Sequence, residues 1–425
     1  MKGLLRRLVP EPIKRLARPM RAALRLRGAR RVIRAASVVT RRRYAATPGR
    51  VVFVSEVPRV REAKLAHGLR RLGWKVALLY GQTPNYDPQT YFDEASRFAG
   101  PEEAERMAQE HRPVSYHVFS PSGDLTASHL VNVRPGPMVF DTTDILESNY
   151  AGNPAKAAAV RDSIELQRHA LARADGYCAR DLQFKMAQRL GYSTRGISIF
   201  FPEYCWGTAA APAPRVDGPI RCVQAGNFGI EKLGEGDWGY LEIARQLADA
   251  GIALDLFPNW THFGRGEREF RAIFSDYFDL ASRTPLFRMR APLKADELIE
   301  GLRGYDFGLS LTWAELAGER LRSFNPELLR YCTSARIFDY LDAGLPVVLD
   351  ARYRVMHALL RPYGAAVAAE KGFLASVRDR LIPLANREAR QRAVRASHGL
   401  AIERHAHRLA RFYQRVAAGV GIAAS

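Results

Sequence analysis

The chain has 425 residues, 47% hydrophobic and 25% charged, which suits a globular protein of about two domains and excludes a low-complexity or disordered chain. Its formal net charge is +20, but residues 1–50 hold sixteen Lys/Arg against one acid, Glu11, while the other 375 residues hold 48 basic and 43 acidic side chains. So balanced a body gives no ground for a general nucleic-acid-binding surface.

Residues 1–49 form a basic arm. Leu4, Leu5, Leu8, Ile13, Leu16, Met20 and Leu24 recur near helical spacing among arginines, and Pro10, Pro12 and Pro19 cut the arm into short helices. Such segments suit an anionic membrane surface, here through residues 1–43. A solvated arm, a transit peptide and an RNA-binding tail are the competing readings, the last weakened by a lack of stacking aromatics. Four scattered cysteines with no Cys-x-x-Cys pair favour reduced thiols in a cytosolic protein, and no apolar run approaches the ~18 residues needed to span a bilayer. The expected location is therefore cytoplasmic, peripheral at the inner face of the membrane.

From Arg50 the pattern becomes βαβ: Val51–Ser55, a helix over Ala63–Leu72, then Lys75–Tyr80, which predicts a parallel sheet. The turn 56–62 has no Gly-x-Gly-x-x-Gly, so a tightly held dinucleotide is not expected there. Residues 82–112 read as an irregular excursion, a binding loop or a packed insert. Val114–Phe119 and Met138–Phe140 are further strands, the second leading into Asp141-Thr142-Thr143-Asp144. Acids beyond the carboxyl end of a parallel strand lie where ligands bind, although either can equally cap a turn. His129, late in the preceding helix, is the histidine to keep, against a packing role; His405 and His407 read as solvated. One long helix over Pro154–Arg173 and strands at Asp175–Ala179 and Gly196–Phe200 complete the first unit, residues 50–205.

An Ala/Pro/Gly linker follows at 206–219. The alternation then restarts over 220–385. Strand Ile220–Ala225 runs into Gly226-Asn227-Phe228-Gly229-Ile230-Glu231-Lys232, where glycines let the backbone approach a ligand and Lys232 offers a point charge. Later, Ser334-Ala-Arg336-Ile-Phe-Asp339-Tyr-Leu-Asp-Ala-Gly344-Leu-Pro-Val-Val reads as a capped helix, a glycine stop and a buried strand. Arg336 and Asp339, three apart, share a face; they form either a surface ion pair or an anion site with an acid for sugar hydroxyls. Residues 386–425 are basic helix, expected to pack back across the domains.

The two βα units, the linker and Arg336-Ile-Phe-Asp339-Tyr-Leu-Asp-Ala-Gly-Leu-Pro-Val-Val resemble GT-B glycosyltransferases, in particular the retaining family 4 group and its family-1-like kin of bacterial surface-polysaccharide pathways. Ala174-Asp175-Gly176 through Asp181 and Phe140–Asp144 carry a lesser similarity. The resemblance implies an α/β, GT-B fold: two Rossmann-like βαβ domains facing a cleft, with basic C-terminal helices. It implies a hexosyltransferase that takes a UDP- or GDP-linked sugar as substrate, with no cofactor and no metal, and an acceptor that is a glycan or glycolipid in cell-surface polysaccharide or lipopolysaccharide synthesis. Donor binding falls to Gly226, Asn227, Lys232, Ser334, Arg336 and Asp339, the last at the position of the ribose-binding acid. Asp144, His129 and Asp141 are the catalytic candidates. The family's second glutamate, eight residues before the first, is replaced by Tyr331, which leaves the sugar and the retaining outcome open. The lack of an Asp-x-Asp triplet accords with a diphosphate stabilised by backbone N–H groups, a helix dipole and cationic side chains. A non-catalytic GT-B-like scaffold at the membrane is the alternative.

Overall fold

The structure is a computed structural model that describes residues 47–120, 124–150, 153–210, 218–228, 239–259, 266–311 and 325–422. Residues 1–46 of the basic arm and Lys232 lie outside these residues, while 47–49, counted with the arm in the sequence, open the first strand. Two parallel sheets carry the chain. In the first, β1 (Thr47–Ser55), β2 (Lys75–Tyr80), β3 (Glu94–Arg97), β4 (Pro113–Phe119), β5 (Met138–Thr142), β6 (Gly176–Ala179) and β7 (Ile197–Phe200) take the order β3-β2-β1-β4-β5-β6-β7. The second has β8 (Arg221–Ala225), β9 (Ala253–Phe257), β10 (Phe287–Met289), β11 (Phe307–Ser310), β12 (Val347–Asp350) and β13 (Ala366–Ala369) in the order β10-β9-β8-β11-β12-β13. Each sheet reverses its winding once, between β1 and β4 and between β8 and β11, and open parallel sheets bind ligands beyond the carboxyl ends of strands at such points.

The continuous apolar runs of the sequence become strands covered on both faces: Val51–Ser55, all of β4 and all of β12 are buried. Eight helices matter for the site: α1 (Val60–Arg71), α2 (Pro101–Gln109), α3 (Leu125–Val133), α4 (Arg161–Arg173), α5 (Ala295–Leu302), α6 (Ala335–Asp342), α7 (Arg387–Gly399) and α8 (Ile402–Ile422). The expected glycine stop is present. Gly344 has φ +73°, and the Leu345 N–H turns back to the Tyr340 carbonyl.

Two expectations need correction. Residues 82–112 are ordered, with a short helix at Pro88–Tyr91, the edge strand β3 and helix α2, because Phe92, Phe98, Ala104 and Ala108 are buried anchors. The helix expected over 154–173 is two helices, Pro154–Ala159 and α4, parted at Val160.

The last helix returns to the first sheet. A Cβ on Gly68 of α1 would lie 2.7 Å from Ile402, and one on Gly176 of β6 2.6 Å from Val416, so both glycines admit α8 at close range. Cys205 pairs with the chain at Leu400–Ile402, and His405 is half-buried, stacked on Tyr204 at 4.4 Å. His405 is therefore a packing residue. No helix among the described residues is long and apolar enough to cross a membrane.

Candidate functional site

The second sheet brings a glycine turn and a cation together. Tyr340, on α6, accepts a hydrogen bond from the Ala225 N–H at 2.9 Å and donates to the Leu309 carbonyl at 3.0 Å, pinning α6 across the ends of β8 and β11. The fit requires Gly308, where a Cβ would lie 2.2 Å from the Tyr340 ring. With α6 so placed, the Arg336 guanidinium donates to the Asn227 carbonyl, just past Gly226. Gly226 has φ +89°, which a glycine adopts without strain, and its N–H bonds the Phe257 carbonyl at 2.8 Å. Gly226, Asn227 and Arg336 thus form one unit. Ser334 occupies the N-cap position of α6, but its side chain makes no capping hydrogen bond.

Asp339 points elsewhere. Its carboxylate takes a hydrogen bond from Lys64 Nζ of α1, 2.9 Å away, in an ion pair that joins the two domains. The Lys64 side chain is 2% exposed. Burial lowers the Lys64 pKa, but Asp339, Asp342 and Glu203 outweigh that and hold it above the usual lysine range. Asp342, one turn on, caps the linker: it accepts from the Trp206 and Gly207 N–H groups and from Ser397 of α7. Burial raises its carboxyl despite these bonds.

On the first domain the two candidate acids of one turn part company. Asp141 is buried at 2% exposure, gripped by Arg61 Nη2 at 2.8 Å and Nε at 3.1 Å, with His117 Nε2 at 3.3 Å. Burial would raise its carboxyl; Arg61 and His117 reverse this and hold it down to about 2. Asp141 is therefore placed as the buried counter-ion of Arg61. His117 in turn reaches the Tyr413 hydroxyl of α8 at 2.6 Å. Among the described residues, His117, Asp141 and Cys178 are the one group of donor atoms spaced as for a metal, within 4.8 Å of one another. Arg61 already supplies the cation there, and its Nη2 also lies 3.6 Å from the Cys178 sulfur.

Asp144, by contrast, is about one-third exposed. Its backbone carbonyl is fixed by Gln167 at 2.6 Å, and its carboxylate faces Gln183 Nε2 at 3.3 Å and Arg180 Nη2 at 3.5 Å. This corner touches the second domain directly. The Leu182 N–H bonds the Tyr331 carbonyl, Thr333 Oγ1 bonds the Arg180 carbonyl, and Gln183 lies 3.1 Å from the Cys332 sulfur. Asp144 is thereby set beside the segment that opens α6. Asp181, buried next to Arg180, has its carboxyl pushed up to about 7, chiefly by burial. His129 is not brought here. It pairs with Glu105 of α2 at 2.7 Å, in the helix layer covering the sheet, so the packing alternative accounts for it.

Sequence reasoning missed Arg61, Lys64, Arg180 and Asp342. Each is a charge inside a helix or turn whose partner lies far away in the chain, and the only local signal is that Arg61 and Lys64 flank the apolar stripe of α1.

No family model matches the chain, and no curated protein matches it. Solved structures do. Sucrose-phosphate synthase from Thermosynechococcus elongatus superposes with a TM-score of 0.61 at 12% identity, covering 87% of this chain and 99% of that one. A point mutant of O-GlcNAc transferase from Thermobaculum terrenum gives 0.55 at 13% identity, covering 92% and 74%. The α,α-trehalose 6-phosphate synthase of Burkholderia multivorans gives 0.55 at 12%, covering 88% and 100%. Two Rossmann-like sheets, superposing on the two synthases over nearly their whole length, give this chain the GT-B fold.

Proposed function

We propose that this protein is a glycosyltransferase that moves a hexosyl group from a UDP- or GDP-linked donor to a glycan or glycolipid acceptor in cell-surface glycan synthesis. The observation that carries the reading is the Arg336 guanidinium seated on the Gly226–Asn227 turn at the carboxyl end of β8. A diphosphate leaving group needs positive charge and close backbone approach at one place, and this unit supplies both. Ser334 and the first-turn N–H groups of α6 add donors from a helix N-terminus, and Lys232 adds a second cation. The bond from the anomeric carbon to the diphosphate breaks as the acceptor oxygen bonds that carbon from the same face, and the acceptor hydroxyl's proton passes to the departing diphosphate oxygen. Asp144 orients the acceptor hydroxyl, and transfer proceeds with retention and without a metal. The basic arm, residues 1–43, brings the enzyme to an anionic membrane surface.

The test is calorimetric. UDP and GDP are titrated into the wild type and into Arg336→Ala; at least one nucleotide should bind, and the variant should bind it about tenfold or more weakly, the loss of one charge-assisted contact. Unchanged affinity in Arg336→Ala sinks the site assignment.

A scaffold without catalysis is the second reading, and two observations favour it: Lys64 already occupies the Asp339 carboxylate, and Tyr331 stands where a second glutamate is usual. Hydrolysis across a panel of nucleotide sugars separates the two, since a scaffold turns over none.

A further inference from the structure

A cavity of about 350 Å³ lies between the domains, away from the Gly226–Arg336 unit. Its walls come from α1 and the 86–91 segment on one side, the linker at Trp206, and α5 on the other. One wall is aromatic. Tyr86 meets Tyr91 edge-on at 5.5 Å, and Tyr91 lies at 5.3 Å and 32° to the Trp206 indole. The opposite wall mixes Ala295 and Ile299 with the polar Asp296 and Glu300 of α5 and with Arg303 just past its end, and Glu300 and Arg303 are paired at 2.6 Å. Two lining residues, one on each wall, also carry a buried hydrogen-bonding atom with no partner in the protein: the Tyr86 hydroxyl, on a residue 6% exposed, and Arg303 Nε. Native interiors leave few such groups, so each calls for an explanation.

A pyranose has a face of C–H groups and a rim of hydroxyls. It therefore needs an apolar platform with a flat π-face, together with planar side chains able to take or give two hydrogen bonds each. The cavity offers both on facing walls, and its volume, at the small end of ligand pockets, suits one or two rings and no more. Nucleotide chemistry fits poorly, because the cavity's acids, Asp296 and Glu300, would repel a diphosphate and its one arginine is already paired. We propose that this cavity binds a saccharide ring stacked on Trp206, with Asp296 and Glu300 receiving its hydroxyls. Trp206 links the cavity to the donor helix. Lys64 Nζ lies 5.8 Å from its ring centre, and the backbone N–H of Trp206, not the ring, donates to Asp342 of α6. The ring so held is the acceptor sugar; that last identification rests on the transferase reading, whereas the binding itself does not.

The full chain is titrated with methyl glycosides of glucose, galactose, mannose and N-acetylglucosamine, followed by saturation-transfer NMR. At least one should bind in the millimolar range. Trp206→Ala should weaken it about tenfold, and Trp206→Phe, which keeps a π-face, should restore most of it. If Trp206→Ala does not fold, Asp296→Asn with Glu300→Gln, both at exposed positions, should weaken binding by at least threefold. Failure of every glycoside to bind the wild type, or equal affinity in the variants, overturns the proposal. UDP and GDP calorimetry on the same samples keeps the two readings apart. Lost glycoside binding with intact nucleotide binding removes the acceptor cavity alone, while absent nucleotide binding in the wild type removes the donor site. Mutual enhancement of nucleotide and glycoside affinity marks the ring as the acceptor, and independence of the two marks a separate sugar site, overturning the acceptor identification.

Discussion

Lys64 is the most exacting place to probe how the two domains hold together. Its ammonium is 2.9 Å from Asp339, the pair is 2% and 15% exposed on its two sides, and Asp342 adds a second negative charge nearby. Lys64→Met keeps the length of the stem and removes only the charge. Breaking a buried pair by deleting one partner typically costs 3–5 kcal/mol, because the survivor is left uncompensated in a poor solvent for ions. Asp339 retains some contact with water, so the lower end applies, about 3 kcal/mol. At about 2.1 cal/mol/K of unfolding entropy per residue, a chain of 425 residues would lose roughly 3–4 °C in melting temperature. A raised lysine pKa means its stabilising share is fully present below the unfolded value of 10.5 and is lost only as pH rises through the higher folded value. Lys64 therefore stays charged through neutral pH, and the measurement belongs there.

The assay is a double-mutant cycle by denaturant unfolding on the wild type, Lys64→Met, Asp339→Asn and the pair. Asp339→Asn in the Lys64→Met background should recover at least half of the loss, since it removes the stranded charge. A Lys64→Met protein within about 0.5 kcal/mol of the wild type would show that water reaches the pair freely and would refute the argument. So would a double variant no better than Lys64→Met alone, since the loss would then come from packing.

Other outcomes follow from the same contacts. Glu62 is 3% exposed, takes a 2.8 Å hydrogen bond from Ser55, and burial pushes its carboxyl up from 4.5 to about 7. The folded chain thus holds a proton that the unfolded chain loses, so stability should fall as pH rises from about 4.5 to 7, by about 3 kcal/mol from this group. Glu62→Gln should flatten that slope in urea titrations at stepped pH, and an unchanged slope would assign it to other groups. Asp141→Asn leaves Arg61 with a weaker partner inside the core; a loss of about 3 kcal/mol is expected from urea unfolding, with intact nucleotide binding by calorimetry. Gly68→Val drives a branched side chain into Ile402 and Ala406, so α8 should detach from α1, seen as faster amide exchange in 402–416.

The sequence makes the sheets legible because covered parallel strands need unbroken apolar runs and each run ends at a glycine or a turn. It also exposes the Gly226 turn and Arg336, since a positive-φ glycine after a strand and an arginine in a first helical turn are local signatures. What stays hidden is the allocation of charge. Arg336 and Asp339, three residues apart, look like one surface pair, yet the first turns to Asn227 and the second to Lys64, 275 residues away in the chain. Asp141 and Asp144 look interchangeable in one turn. Asp141 is still inside β5, where its side chain meets Arg61, 80 residues back, whereas Asp144 lies beyond the strand and keeps contact with water. Local periodicity fixes which way a side chain leaves the backbone, and long-range packing decides whether it finds water or a counter-ion. Arg61 and Lys64 carry the same lesson. On a helical wheel they read as solvated charge beside an apolar stripe, yet Asp141, Glu203 and the Phe201 carbonyl of the first domain enclose Arg61, and Asp339 of the second meets Lys64. The acids worth testing for function here are consequently those the fold leaves partly exposed, Asp144 at the joint between the domains and Asp296 and Glu300 at the aromatic cavity.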